Sequence, residues 1–108
     1  MKIISVPTSE ITNWESFHDV MLRALKLPDF YGKNMDALID CLTDAGEPET
    51  GMCGVAEPGG ICLHLSDARE LKARCQDVFE SLVELVAFVN YRRIEVGEGP
   101  VLMLSYDV

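Results

Sequence analysis

The stretch LPDFYGKNMDALIDCLTDAG, residues 27–46, decides how the chain is organised. Pro28 ends any helix before it, because the residue that precedes a proline avoids the α region. Asn34 is a suitable N-cap for a new helix, which we expect to end near Thr43 or Asp44, with Gly46 as its stop signal. The stretch therefore predicts a loop that leads into a short helix.

This short helix has an acidic outer face. Asp36 and Asp40 lie one turn apart, where two like charges repel by a few tenths of a kcal/mol. Only Asp36 falls in the first turn, where the positive end of the helix dipole offsets the repulsion. Thr43 extends the same polar face. The opposite face carries apolar residues at the spacing of a helix packed on a core, namely Met35, Leu38 and Leu42. Such a helix is typical of a surface that binds a positively charged partner.

The net charge favours the same conclusion. The 108 residues carry a formal charge of −9, which disfavours nucleic acid and anionic membranes as partners and attracts basic proteins. Residues 29–49 hold six acidic residues and Lys33 alone as a basic one. Acidity can also serve only to keep a small protein in solution, but this local clustering favours a binding role.

The remaining sequence predicts a single α/β domain over residues 1–108. Apolar residues recur at helical spacing over about 14–26 and again over 67–74 and 76–93, with a kink between the last two segments. We also expect three short apolar strands, Met1–Val6 before the first helix, Gly60–Leu65 before the helical segment at 67–74, and Val101–Ser105 after the last helix. Apolar strands separated by helices indicate a parallel sheet covered by helices.

Two further local features are predicted. Thr8, Ser9 and Thr12 are candidate N-caps for the first helix, and Glu15, three residues after Thr12, suggests a capping box. Residues 44–60 contain five glycines and two prolines, which indicates a loop. A loop of this length in a compact domain is either functional or mobile.

We expect a cytoplasmic protein with reduced cysteines. The first residues are too short an apolar run for a secretory signal, and no stretch approaches the length of a membrane span. Without a secretory signal, the four cysteines are interpreted as thiols. Three of them and His64 could be assembled into a zinc site on paper, but their spacing matches no common site. We therefore expect no metal and no cofactor.

One segment of the chain is similar to a known family. The residues that carry the similarity are Leu27-Pro28, Tyr31-Gly32, Asn34, Asp36-Ala37-Leu38 and Asp40-Cys41-Leu42-Thr43. This pattern resembles the barstar family, the intracellular inhibitors of barnase-type ribonucleases. The resemblance implies a small three-stranded parallel sheet packed against helices. It also implies an inhibitor of the antitoxin or immunity type, monomeric when free, that binds a basic extracellular-type or toxin ribonuclease one to one.

The resemblance also implies which residues meet the partner. It makes Asp40 the central anchor, and it puts Asp36, Asn34, Gly32 and Thr43 at the interface. Five further positions are implied with less direct matches. Phe30 occupies the position of a tyrosine in the family, Met35 that of a leucine and Ile39 that of a tryptophan. Tyr31 flanks the helix. Asn90 aligns with an acidic residue on the later helix of the family, and Glu80 or Glu84 could supply that acid here. Lys33 stands for an acid, which weakens the local field.

A physical argument supports this mode of action. Ribonucleases gather basic side chains to hold phosphates, and a carboxylate on a well-supported helix satisfies the same donors without any chemistry of its own.

Two alternatives remain open. The chain could be a module of the same fold that binds a basic protein other than a nuclease, or, less consistently, a metal-dependent hydrolase using Asp36 and Asp40. Nothing in the sequence separates the pKa values of these two carboxylates, as an acid–base pair would require.

Overall fold

The computed structural model describes residues 2–28, 31–43 and 60–107. These ranges form three β-strands, four α-helices and one 3-10 turn at Thr8–Glu10. The elements follow in the order β1 (Lys2–Val6), α1 (Trp14–Ala24), α2 (Met35–Thr43), β2 (Ile61–Leu65), α3 (Ala68–Arg74), α4 (Gln76–Glu95) and β3 (Leu102–Tyr106). The predicted strands and helices are confirmed to within about two residues at each end, the usual scatter of such boundaries.

The three strands form one parallel sheet in the order β1-β2-β3. Leu63, in the middle of β2, lies opposite Ile4 of β1 and Leu104 of β3. The chain therefore crosses over twice, through α1 and α2 between the first two strands and through α3 and α4 between the last two. The predicted α/β class with a parallel sheet is confirmed.

The core lies between one face of the sheet and the helices. Ile4 and Leu63 are buried there together with fully buried helix residues such as Phe17 and Leu82. On the opposite face, Ile3 of β1 remains 69% exposed. Burial therefore alternates along β1, whereas four of the five residues of the central strand β2 are buried.

The N-terminal cap of α1 differs from the prediction. Asn13, and not Thr12, is the N-cap, since its side-chain oxygen accepts the Ser16 backbone N–H at 2.8 Å. The Ser16 hydroxyl in turn accepts the backbone N–H of Asn13 at 3.0 Å, so Ser16 takes the place that was predicted for Glu15. The predicted capping box between Thr12 and Glu15 is wrong by one residue because asparagine and serine satisfy the same two backbone donors.

The boundary between α3 and α4 is a single non-helical residue, Cys75. Its backbone N–H donates to the carbonyl of Leu71 at 2.8 Å, which closes α3. Its own carbonyl accepts the Phe79 N–H at 3.0 Å, which opens α4. The kink that the sequence predicted near this point is confirmed. Beyond this residue, α4 packs against both α2 and β3.

Gly60 and Asn90 fix where the strands β2 and β3 begin. Gly60 has a φ of +82°, and a Cβ atom there would lie 2.3 Å from the carbonyl oxygen of Val101. Only glycine fits such an approach. The Asn90 side chain accepts the backbone N–H groups of Val101 and Leu102 at 2.9 and 3.0 Å and donates to the Leu102 carbonyl. These contacts hold β3 against α4.

Candidate protein-binding site on the second helix

The start of α2 is fixed by Asn34. Its side-chain oxygen accepts the backbone N–H of Ala37 at 2.8 Å, which confirms the predicted cap. The preceding residue, Lys33, has a φ of +53°, a left-handed conformation that costs a non-glycine residue some free energy. Lys33 also donates to the Asp19 carboxylate of α1 at 3.0 Å. The turn before α2 is therefore held by the Asn34 hydrogen bond to α2 and by the Lys33 ion pair with α1.

The inner face of α2 anchors the helix in the core. Leu38 and Leu42 are fully buried, and Cys41 is buried beside them. Full burial of each leucine contributes roughly 1.5–3 kcal/mol to the free energy of folding. The half-buried Thr43 donates its hydroxyl to the Ile39 carbonyl at 2.7 Å, so that hydroxyl is engaged within the helix itself.

The outer face of α2 presents the two predicted aspartates. Asp36 and Asp40 are both exposed, and the Asp40 side chain keeps 72% of its surface accessible. Met35 and Ile39 are half-buried. The structure thus gives α2 the acidic outer face and the apolar inner face that the spacing predicted.

Arg92 of α4 contacts this acidic face. One of its terminal nitrogens, Nη1, lies 3.2 Å from Oδ1 of Asp40, and the Arg92 side chain is 41% exposed. The guanidinium carbon lies 5.9 Å from the centre of the Phe88 ring, one helical turn earlier on α4. Sequence reasoning missed Arg92, because a pair separated by 52 residues leaves no local pattern.

A groove runs between α2 and α4 beside the aspartates. Its volume is about 600 Å³. It combines apolar side chains with charged ones from both helices, namely Met35, Asp36, Ile39, Asp40, Ser81, Glu84, Leu85, Phe88 and Arg92. Glu84, which the sequence suggested as a possible second acid on the later helix, therefore lines the same groove as Asp36.

Arg93, the next residue on α4, stabilises the C-terminal end of α2. It donates to the carbonyl of Thr43 at 2.8 Å and to the carbonyl of Gly99 at 2.9 Å. It also forms an ion pair with Glu98 at 3.0 Å, and its side chain is only 13% exposed. Helix ends leave backbone carbonyls without partners, so a half-buried arginine there stabilises α2 directly.

A buried aromatic cluster supports the loop in front of α2. Tyr31 and His18 are 6% and 5% exposed, and the Tyr31 hydroxyl shares a hydrogen bond with Nδ1 of His18. Burial lowers the pKa of His18 and raises the pKa of Tyr31, since each charged form loses hydration there. Trp14 stacks on His18 with ring centres 6.1 Å apart. Both groups are therefore held neutral near pH 7.

Comparison with known protein families decides where this fold and site belong. The family model described as "Barstar (barnase inhibitor)" matches residues 1–98. The chain belongs to the barstar family. A relative from Bacillus subtilis (strain 168), named "Putative ribonuclease inhibitor YrdF", is 44% identical over 43 residues. This match covers 40% of the chain and 47% of the relative, so it spans about half the length of that protein.

Membership of the barstar family confirms the resemblance drawn from residues 27–43. Two of the residues that it implied need comment. Phe30 lies outside the described residues, as does most of the long loop predicted over 44–60. Asn90 is half-buried, and its amide already holds β3 in place. A contact between Asn90 and a partner stays a prediction.

Within residues 2–28, 31–43 and 60–107, no group of three or more His, Cys, Asp or Glu side chains is arranged to hold a metal ion. In the same ranges, Cys41, Cys62 and Cys75 are buried, and no disulfide joins them. None of the described helices is both long enough and apolar enough to cross a membrane.

Proposed function

We propose that this barstar-family chain inhibits a basic ribonuclease by inserting the acidic face of α2 into the active site of the enzyme. The observation that carries the proposal is the exposed pair Asp36 and Asp40 on a helix anchored at both ends. The family description as a barnase inhibitor supports it, as does the name of the Bacillus subtilis relative.

The proposed mechanism is electrostatic replacement of the substrate. A ribonuclease cleft presents arginine, lysine and histidine donors to phosphate groups, and carboxylates accept the same charge-assisted hydrogen bonds. Asp40 is the proposed central contact. The further proposed contacts are Asp36, Asn34, Gly32, Thr43, Phe30, Met35 and Ile39. Tyr31 is 6% exposed, and we propose that it supports these contacts from the core. The inhibitor needs no catalytic group, because occupying the cleft is enough to exclude RNA.

The anchoring of α2 suits this role. Asn34 caps one end of the helix, Arg93 holds the other, and Leu38 and Leu42 fix the inner face. A helix that is already ordered loses little conformational freedom on binding, so more of the interaction energy appears as affinity. The charge of −9 steers a basic enzyme toward this surface and makes association fast and sensitive to salt.

The biological setting follows from the same proposal. One inhibitor binds one ribonuclease, and the inhibitor is a monomer when free. It acts in the cytoplasm, as an antitoxin or immunity protein against a toxin or extracellular-type ribonuclease.

The proposal is tested by titrating the activity of purified barnase with the chain and its variants. We expect stoichiometric inhibition by the wild type. Asp40→Ala should weaken binding by about 2–5 kcal/mol, because it leaves partner cations desolvated and unpaired. Glu70→Ala, which removes an exposed acid from the first turn of α3, is the matched control and should cost less than about 1 kcal/mol.

Two results would contradict the proposal. Equal losses from Asp40→Ala and Glu70→Ala would show that overall charge, and not the α2 face, drives binding. Binding without loss of nuclease activity would favour the alternative, a module of the same fold whose role is to hold a basic protein and not to inhibit it.

A further inference from the structure

The Asp40–Arg92 contact has a consequence for the choice of partner. Arg92 approaches the carboxylate that is proposed as the central anchor, through one N–O contact of 3.2 Å. Asp40 nevertheless keeps 72% of its side chain exposed. A partner can therefore reach Asp40, but it meets a positive charge of the inhibitor beside the same carboxylate.

We propose that Arg92 is a built-in counterion that determines specificity by lowering the affinity of the site for a strongly basic cleft. This inference rests on the proposed function and deepens it. It implies that the natural partner differs from a uniformly basic nuclease by placing a neutral or acidic group opposite Arg92.

The geometry supports an effect on affinity. A partner cation that binds the Asp40 carboxylate comes within roughly 6–7 Å of the Arg92 guanidinium, a distance at which like charges at a partly dehydrated interface repel each other substantially. If Arg92 moves aside instead, it gives up Asp40 and its position by the Phe88 ring. Both routes oppose the binding of a cation.

The other end of the groove differs in charge. Asp36 and Glu84 both line it. No basic residue in the described part of the chain forms an ion pair with either of them. The charge therefore differs along the groove. It is more negative near Asp36 and Glu84, and at Asp40 it is partly neutralised by Arg92. A partner that fits it carries its strongest cation toward Asp36 and Glu84.

Arg92 is suited to a test by substitution, because its side chain is 41% exposed and its ion pair with Asp40 lies at the surface. Arg92→Gln removes the charge and keeps a polar side chain. Arg92→Lys keeps the charge and loses the planar fork of the guanidinium. Arg69→Gln changes the net charge of the chain by the same amount from an exposed position on α3, and it serves as the matched control.

The experiment measures the dissociation constant of the complex with barnase for the wild type and these three variants, at low and at high salt. We expect Arg92→Gln to bind about tenfold more tightly than the wild type at low salt, from removal of a like charge at this distance. The gain should shrink at high salt because charges at an exposed rim are screened. Arg92→Lys should resemble the wild type, and Arg69→Gln should change affinity by less than about twofold.

Each outcome separates this inference from the proposed function. Barnase binding by the wild type, with Arg92→Gln no tighter, would overturn the role of Arg92 and leave the inhibitor proposal standing. A gain in Arg92→Gln equal to the gain in Arg69→Gln would overturn it in the same way. Absence of binding by the wild type and by Arg92→Gln alike would contradict the proposed function itself. Binding that is recovered only in Arg92→Gln would support the role of Arg92 and would contradict the inhibition of barnase expected of the wild type.

Discussion

The two sides of α2 are built in different ways. On the side of α1, the main support is an aromatic cluster of the buried Tyr31 and His18 with the half-buried Trp14, and an exposed ion pair between Lys33 and Asp19 lies beside it. On the side of α4, the support is an open groove with charged groups, where Asp40 meets Arg92. The first side fixes where the helix lies. The second side determines which charges it presents.

The same division separates two neighbours on α4. Arg93 is 13% exposed and donates to the backbone carbonyls of Thr43, at the end of α2, and of Gly99, whereas Arg92 is 41% exposed and contacts a side chain. Arg93 therefore stabilises the fold, whereas Arg92 lies on the proposed binding surface. A basic residue pair in the sequence gives no indication of this difference, which depends on what each side chain meets across the fold.

The largest effect on stability is expected from removing the Arg93 contacts on the α4 side of α2. Arg93→Met should lower the free energy of unfolding by about 2–3 kcal/mol, because the Thr43 and Gly99 carbonyls lose a charged donor. Arg92→Met is the matched control, and it should change stability by less than about 1 kcal/mol because its ion pair is exposed. Urea denaturation of both variants measures the difference. Similar losses in the two variants would refute the division between structural and binding arginines.

A smaller effect is expected on the α1 side. Tyr31→Phe keeps the packing of the ring and removes the hydroxyl that bonds to His18. The free energy of unfolding should fall by about 1–2 kcal/mol, since a buried ring nitrogen is left without its partner. Inhibition of ribonuclease by the folded variant should change little, because Tyr31 is buried and supports the loop from behind. A large loss of inhibition with unchanged stability would show that Tyr31 contacts the partner directly.

The smallest effect concerns pH. Burial lowers the pKa of His18 from its ordinary value of 6.5, with Asp19 opposing the shift and Lys33 adding to it. Near neutral pH both folded and unfolded chains carry a neutral His18. As the pH falls below 6.5, the unfolded chain takes up the proton first, so the stability that depends on neutral His18 is lost down to the folded pKa.

The measurement compares urea unfolding of the wild type and of His18→Gln at pH 7.5, 6.5 and 5.5. Glutamine does not titrate, so the variant should lose less stability than the wild type over this interval. Parallel curves for the two proteins would show that His18 has the same pKa in the folded and unfolded chains, against the role given to the buried cluster.

The sequence predicted the local features of the fold well. Helical spacing placed α2 and its two faces, Asn34 was correctly chosen as its cap, and the kink between α3 and α4 falls at Cys75. These features depend on residues a few positions apart, so their causes are present in a short window of sequence. The parallel sheet followed from apolar strands separated by helices.

The missed features depend on contacts between distant parts of the chain or on competition between adjacent groups. The pairing of Arg92 with Asp40 requires α4 to cross beside α2. The cap of α1 is decided by Asn13 and Ser16, which compete with neighbours of similar chemistry. The interface residues themselves, Asp40 above all, stay a prediction until a partner is bound.

The most direct test of the central claim is recovery of the natural partner. Wild-type protein and the double variant Asp36→Ala/Asp40→Ala are used side by side as bait in lysate of the source cell, after circular dichroism has shown both to be folded. We expect a basic ribonuclease to bind only the wild-type protein and to regain its activity on release. Equal recovery of one partner by both proteins, or a partner without nuclease activity, would contradict this expectation.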